Sequence, residues 1–256
     1  MSKLPQLFLR GHPVQSLPED ELYKDGILET MRCHNGKIPL WPLHRERLAR
    51  ALGLGESLLA DIDQCVPLLA AQRGHKMAIA RLRVGLIDGQ WCWDLSFLPL
   101  QPTEEAELGV HLFPCKTHLP VSQRWNSGCK FLSRSRYNRA KSELPEGDYL
   151  DGLMLDTEGR VIESLRCNLL ARFGDGWITP NLERCGVRGV MRDWLSSRIQ
   201  WQERDMDIRD LCGAEEIALC NSVRGVLPVV EIVGHKRWKI GSGVRGLQQL
   251  IMETLW

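Results

Sequence analysis

Asn35-Gly36 stands between two β-like runs within GILETMRCHNGKIPLW, residues 26–41. In that setting Asn-Gly is a strong hairpin signal, because a type I′ turn needs positive φ at both central residues. Similar punctuation recurs at Asp88-Gly89, between KMAIARLRVGLI and QWCWDLSFLPL, at Thr157-Glu158-Gly159 within DGLMLDTEGRVIES, and at Gly174-Asp175-Gly176 within NLLARFGDGWIT. A chain with these four turns is constrained to fold around antiparallel strand pairs. Helical spacing interleaves with them. Pro42 sits where a helix can begin, and LHRERLARALGL puts Leu43, Arg47 and Leu54 near one face. Further helices are predicted over 56–72, SRYNRAKSEL, 188–200 and 243–255, with a strand at EEIALC followed by the loop NSVRG. The class expected is α+β.

The segment 114–129, PCKTHLPVSQRWNSGC, carries prolines and polar residues without periodicity, as a linker or a loop over a site does. It divides the chain into a smaller α+β domain, 1–113, a linker, 114–125, and a larger strand-rich domain, 126–256, that contains Lys130. No internal repeat or low-complexity segment is present.

Composition narrows the function classes. The chain has 256 residues, 43% hydrophobic and 25% charged, which is ordinary for a globular protein with a sizeable core. Its 33 basic and 32 acidic residues, net charge +1, provide neither a basic field for nucleic acid nor an acidic tail. No stretch approaches the roughly 20 apolar residues of a membrane span, so a cytoplasmic protein acting on small molecules is expected. Nine cysteines, odd in number and never in a C-x-x-C pair, suit a reducing compartment better than a disulfide framework or zinc ribbon. The histidines show no metal-ligand spacing, and no metal is expected.

The residues that carry chemistry are spread in order along the chain. Lys130 follows Gly128-Cys129 and precedes Phe131-Leu132, so its amine can emerge from an apolar wall as a nucleophile. Glu163, after the strand-like GRVI, can point inward, and a buried carboxylate calls for a cationic partner such as a protonated pyridine nitrogen. Asn168, five residues on, suits a backbone-pairing role at a bend. GVRGVMR, Gly186 to Arg192, presents backbone N–H groups at a helix start, with Gly186 and Gly189 permitting close approach of an anion. Ser222 in CNSVRG can add a hydroxyl to the same anion or cap a turn. Arg47 in HRERL can reach a phosphate as a charge-assisted donor, whereas His44 reads as a structural hydrogen-bonder. Each feature alone has a plain structural reading. Together, a Schiff-base amine, a buried carboxylate and a phosphate-holding helix start are the parts of a pyridoxal 5'-phosphate site.

From DGILETMR through LHRERL, GCKFLSR, DGLMLDTEGRVIESLRCNLL, ITPNLERCGVRGVMR and CNSVRGVLPV, the chain resembles the class IV (fold type IV) pyridoxal phosphate enzymes, and within them the aminodeoxychorismate lyase branch. The resemblance implies a two-domain, D-amino-acid aminotransferase-like α+β fold with the cofactor in the interdomain cleft, and a homodimer. It implies Lys130 as the Schiff-base lysine, Glu163 as partner of the pyridine nitrogen, and Arg47, the amides of Val187, Gly189 and Val190, and Ser222 around the phosphate. Thr30, two residues before Arg32, matches the lyases of the family. A hydroxyl beside the lysine can relay the proton that elimination requires. The activity implied is conversion of 4-amino-4-deoxychorismate to 4-aminobenzoate and pyruvate, in folate biosynthesis.

The sequence also departs from the family pattern. Lys24-Asp25-Gly26 stands for the usual Gly-Asp-Gly, and Phe131 and Ser133 stand where histidine and asparagine often follow the lysine. Gly152 replaces an acidic residue. The long loop between the second pair of strands is reduced to about Asp88-Gly89, and Glu29 is more typical of the aminotransferases. Those departures leave open a class IV aminotransferase of branched-chain or D-amino acids, or a cofactor-binding protein without turnover.

Overall fold

The computed structural model describes residues 6–50, 54–73, 77–121 and 128–256. Two compact units divide the chain: Met1–Pro102 with Cys129–Ser133, and Thr103–Gly128 with Arg134–Trp256. The first therefore ends before the expected boundary at 113, and Cys129–Ser133 belongs to it and not to the later part of the chain. Backbone pairing is the reason. Leu28 N–H donates to Lys130 O at 2.8 Å, Leu132 N–H donates to Gly26 O at 2.7 Å, and Phe131 forms an antiparallel bridge with Ile27. Residues 122–127, which include the end of the expected linker, lie outside the described residues.

The first unit contains β1 (Gln6–Leu9), β2 (His12–Val14), β3 (Lys24–Cys33), helices α1 (Trp41–Ala49) and α2 (Glu56–Ala71), then β4 (Ala78–Ile87) and β5 (Gln90–Pro99). Its antiparallel sheet runs β2-β1-β5-β4-β3. The Asp88-Gly89 turn forms as expected, with φ of 50° and 77°, and joins β4 to β5 by two residues. Asn35-Gly36 takes the same conformation, φ 50° and 71°, and His34 and Lys37 close the turn with bonds of 2.8 and 3.0 Å. The hairpin expected there nevertheless stops at that single bridge, and β3 pairs along its length with β4 instead. Burial decides it. Ile38 and Trp41 enter the core with Ile62, Val66 and Ala70 of α2, and Trp41 Nε1 donates to Asp63 at 2.8 Å, so the chain turns into α1 rather than continuing as a strand.

The second unit contains α3 (Glu105–Leu108), β6 (Val110–Pro114), α4 (Ser135–Lys141), β7 (Leu150–Leu155), β8 (Val161–Ser164), β9 (Asn168–Phe173), β10 (Gly176–Pro180), α5 (Val190–Ser196), β11 (Trp201–Arg204), α6 (Ile208–Cys212), β12 (Glu216–Asn221), β13 (Gly225–Ile232), β14 (Lys236–Arg237) and α7 (Ser242–Thr254). The sheet runs β11-β10-β9-β12-β13-β6-β7-β8, with β14 beside β13. The expected hairpins β7/β8 and β9/β10 are present, while β6 pairs in parallel with both β7 and β13. Val110, Leu112, Leu169, Ala171, Ile217, Leu219, Leu227 and Val229 supply the core on one face. Among the described residues no helix is long and apolar enough to cross a membrane.

Candidate active site

In the first unit, Thr30 lies on β3 and Lys130 on the short segment paired to that strand. Lys130 Nζ donates to Thr30 Oγ1 at 3.1 Å. Residues 129–132 run along β3 as an added edge, so the lysine's position follows from main-chain pairing and not from a loop.

Strand alternation sends the neighbouring Glu29 the other way, into the core between Ile27 and Met31. Its carboxylate is fully buried, and α1 covers it with His44 and Arg47, which lie one turn apart on one helical face. Arg47 Nε donates to Glu29 Oε1 at 2.7 Å and Nη2 to Oε2 at 2.5 Å, a bidentate pair, while His44 Nδ1 contacts Oε2 at 2.5 Å. Burial alone would raise the Glu29 carboxyl, but the Arg47 guanidinium and the His44 contact overcome it and hold the pKa at about 2. Burial also lowers the His44 pKa, against the pull of Glu29, so His44 is a neutral donor. Two of the three guanidinium nitrogens expected near a phosphate are thus committed to Glu29. The signal for this was a glutamate flanked at i±2 by apolar core residues, opposite a His-x-x-Arg spacing.

In the second unit, Glu163 is buried near the end of β8. Leu155 pairs with Val161 but Met154 with Glu163, and this one-residue slip re-aims the carboxylate relative to a regular strand. Val187 N–H lies 3.1 Å from both Glu163 oxygens, Asn168 Nδ2 donates to Oε2 at 3.3 Å, and the Tyr137 hydroxyl donates to Oε1 at 2.5 Å. Asn168 also donates to Val187 O at 2.8 Å and accepts from Gly189 N–H at 3.0 Å, a side chain pairing with backbone at a bend. The turn that makes this possible needs Gly186, whose φ is +93° and whose added Cβ would fall 2.6 Å from Ile162 Cγ2.

Of the three amides expected around a phosphate, two are directed within the protein, Val187 to Glu163 and Gly189 to Asn168. Val190 N–H heads α5, ahead of its first intrahelical bond, Asp193 N–H to Gly189 O at 2.9 Å. Ser222 sits in the turn after β12, which Asn221 Oδ1 organises by accepting from Val223 and Arg224 N–H at 3.0 and 2.7 Å. Thr30 and Lys130 are therefore joined directly, as are Glu163, Asn168, Val187 and Gly189. Tyr137 was not anticipated, since a tyrosine in a short polar helix carries no signal in its spacing.

Within the first unit, a lysine amine beside a hydroxyl suits the covalent link of pyridoxal phosphate, and within the second, a buried carboxylate accepting from neutral donors suits its cationic nitrogen. The family model described as Amino-transferase class IV matches residues 26–232. The aminodeoxychorismate lyase of Vibrio harveyi is 29% identical over 88% of this chain and 91% of its own length. That of Bacillus subtilis (strain 168) is 23% identical over 82% and 78%. Among solved structures, 4-amino-4-deoxychorismate lyase from Pseudomonas aeruginosa is similar with a TM-score of 0.85 at 30% identity, covering 97% of this chain and 99% of that one. The branched-chain amino acid aminotransferase of Escherichia coli shares the fold, with a TM-score of 0.78 at 15% identity over 98% and 94% of the two chains.

Proposed function

This chain belongs to the amino-transferase class IV family, and we propose that it is a pyridoxal-phosphate-dependent carbon–oxygen lyase that converts 4-amino-4-deoxychorismate to 4-aminobenzoate and pyruvate. The observation that carries the reading is the Lys130–Thr30 hydrogen bond of 3.1 Å, which sets a proton-carrying hydroxyl beside the amine in a chain similar over nearly its whole length to lyases of this name.

When bound, the cofactor supplies an electron sink for the carbon that carries the substrate's amine. The protein's own groups do the rest. Lys130 Nζ would hold the cofactor at rest and, when free, would take the proton from ring C4. Thr30 Oγ1 orients that amine and passes a proton to the enolpyruvyl oxygen as its bond to the ring breaks. The side chain leaves as the enol of pyruvate, and the ring gains its third double bond. Glu163 would pair with the pyridine nitrogen, its carboxylate held by Asn168 and the Val187 amide, with the Gly189 amide holding Asn168 in turn. The Val190 amide, Ser222 and Arg47 are assigned to the phosphate. A cytoplasmic homodimer completes the reading, with light scattering as its check.

The test is to mix the purified protein with chorismate, an ammonia source and an aminodeoxychorismate synthase, and to follow 4-aminobenzoate and pyruvate. Equal yields of the two that vanish in Lys130→Ala are expected. No product, despite a cofactor that borohydride reduction fixes to Lys130, overturns the lyase reading. In that case, amino-acid-dependent conversion of the cofactor to its pyridoxamine form would indicate transamination, the reading that Glu29 and the two-residue Asp88-Gly89 turn favour. A retained but idle cofactor would indicate binding without turnover.

A further inference from the structure

Glu163 collects hydrogen bonds from the Tyr137 hydroxyl at 2.5 Å, from Val187 N–H at 3.1 Å to each oxygen and from Asn168 Nδ2 at 3.3 Å. All of these donors are neutral. A carboxylate accepting several such bonds is favoured in its ionised form, and neutral donors confer this without cancelling its charge. Of them, only Tyr137 comes from α4, away from the turn that Asn168 organises.

Its ring is held from two sides. It packs beside Ile162, Leu182 and Cys185, and the Arg134 guanidinium lies over its face at 3.8 Å while donating to Leu165 O at 3.0 Å. The direction of the hydroxyl is therefore fixed by packing. Cys185 and Arg134 both bear electrostatically on Tyr137, and Glu163 on Cys185. Burial, then the Glu163 charge, raises the Tyr137 hydroxyl well above the ordinary tyrosine value. Burial, with Asp156 and Glu163, pushes the Cys185 thiol up to about 12. Both groups stay neutral across the working range of pH.

Resting on the reading that Glu163 faces the cofactor's pyridine nitrogen, we propose that Tyr137 is a positioning residue for that nitrogen: its hydroxyl fixes Glu163 Oε1, keeps the carboxylate ionised and so keeps the bound nitrogen protonated. Positive charge at that nitrogen is what makes the ring an effective electron sink. Without the hydroxyl, Glu163 is the stronger base, and the proton shared between it and the nitrogen moves from the nitrogen towards the carboxylate.

The experiment uses holoenzyme reconstituted with pyridoxal phosphate labelled with nitrogen-15 in the ring. The nitrogen chemical shift at neutral pH is read in the wild type, Tyr137→Phe and Glu163→Gln. In Tyr137→Phe the shift is expected to move from the pyridinium value towards that of neutral pyridine, as the proton passes to the more basic carboxylate. An unmoved shift in loaded Tyr137→Phe overturns the proposal. Should that variant not fold or load, 3-fluorotyrosine at position 137 keeps the shape and strengthens the donor. The shift must then move further towards the pyridinium value, and a shift that stays put is equally fatal. Failure of the underlying reading looks different: no cofactor uptake by the wild type, or a shift that Glu163→Gln leaves unchanged, removes Glu163 from the nitrogen altogether.

Discussion

Lys130 Nζ and Thr30 Oγ1 are 3.1 Å apart although 100 positions separate them in the chain. Main-chain pairing of residues 130–132 with 26–28 creates the contact, so the hydroxyl is held to the amine by a strand and not by a mobile loop.

Thr30→Ala is expected to bind cofactor as the wild type does and to lose lyase turnover by about 10²-fold or more, the scale of a lost proton relay. Thr30→Ser, which keeps the oxygen, should recover much of it. Steady-state kcat beside cofactor absorbance checks this, and unchanged kcat in Thr30→Ala removes the relay.

Removing the Glu29 carboxylate takes away the charged partner of Arg47 Nε and Nη2 in the core. Glu29→Gln should lower unfolding free energy by about 3–5 kcal/mol, the usual cost of breaking a buried ion pair from one side, as read from urea midpoints. The pH profile of the wild type carries the same signature. Because the folded Glu29 carboxyl is held at about 2, its stabilisation is complete above the unfolded value of 4.5 and is lost as pH falls towards 2. From 4.5 to 2 that amounts to about 3 kcal/mol. His44, lowered from 6.5, adds an earlier loss that begins as pH falls below that value. Urea unfolding from pH 7 to 3 should show both phases, the lower one missing in Glu29→Gln.

Gly189 has an unstrained φ of −74°, but an added Cβ would lie 2.0 Å from Asn168 Oδ1. Gly189→Ala should therefore weaken cofactor affinity and stability by about 1–3 kcal/mol, through the broken Asn168 bridge. Asn168→Ala should cost a similar amount, and the double variant little more than either. Strict additivity in this cycle would show that the two residues do not act together.

Gly186 combines φ of +93° with a Cβ site 2.6 Å from Ile162 Cγ2. Gly186→Ala is expected to lower stability by about 2 kcal/mol or more, from backbone strain and overpacking. Thermal unfolding of the variant without cofactor separates this from any effect on binding.

The turn residues alone determined much of the fold. Asp88-Gly89, Thr157-Glu158-Gly159 and Gly174-Asp175-Gly176 specify three hairpins because positive φ is a local property of one or two residues. The order of Lys130, Glu163 and GVRGVMR likewise marks the family from sequence alone. Tertiary packing decided what depends on distant partners. It cut short the Asn35-Gly36 hairpin, because Ile38 and Trp41 are buried against α2. It also placed residues 129–133 in the first unit by pairing them with β3, turned Arg47 onto Glu29, and brought Tyr137 to Glu163. Backbone dihedral preferences are written residue by residue, whereas the burial of a charge and the edge a short segment pairs with depend on surfaces that exist only once the chain has folded.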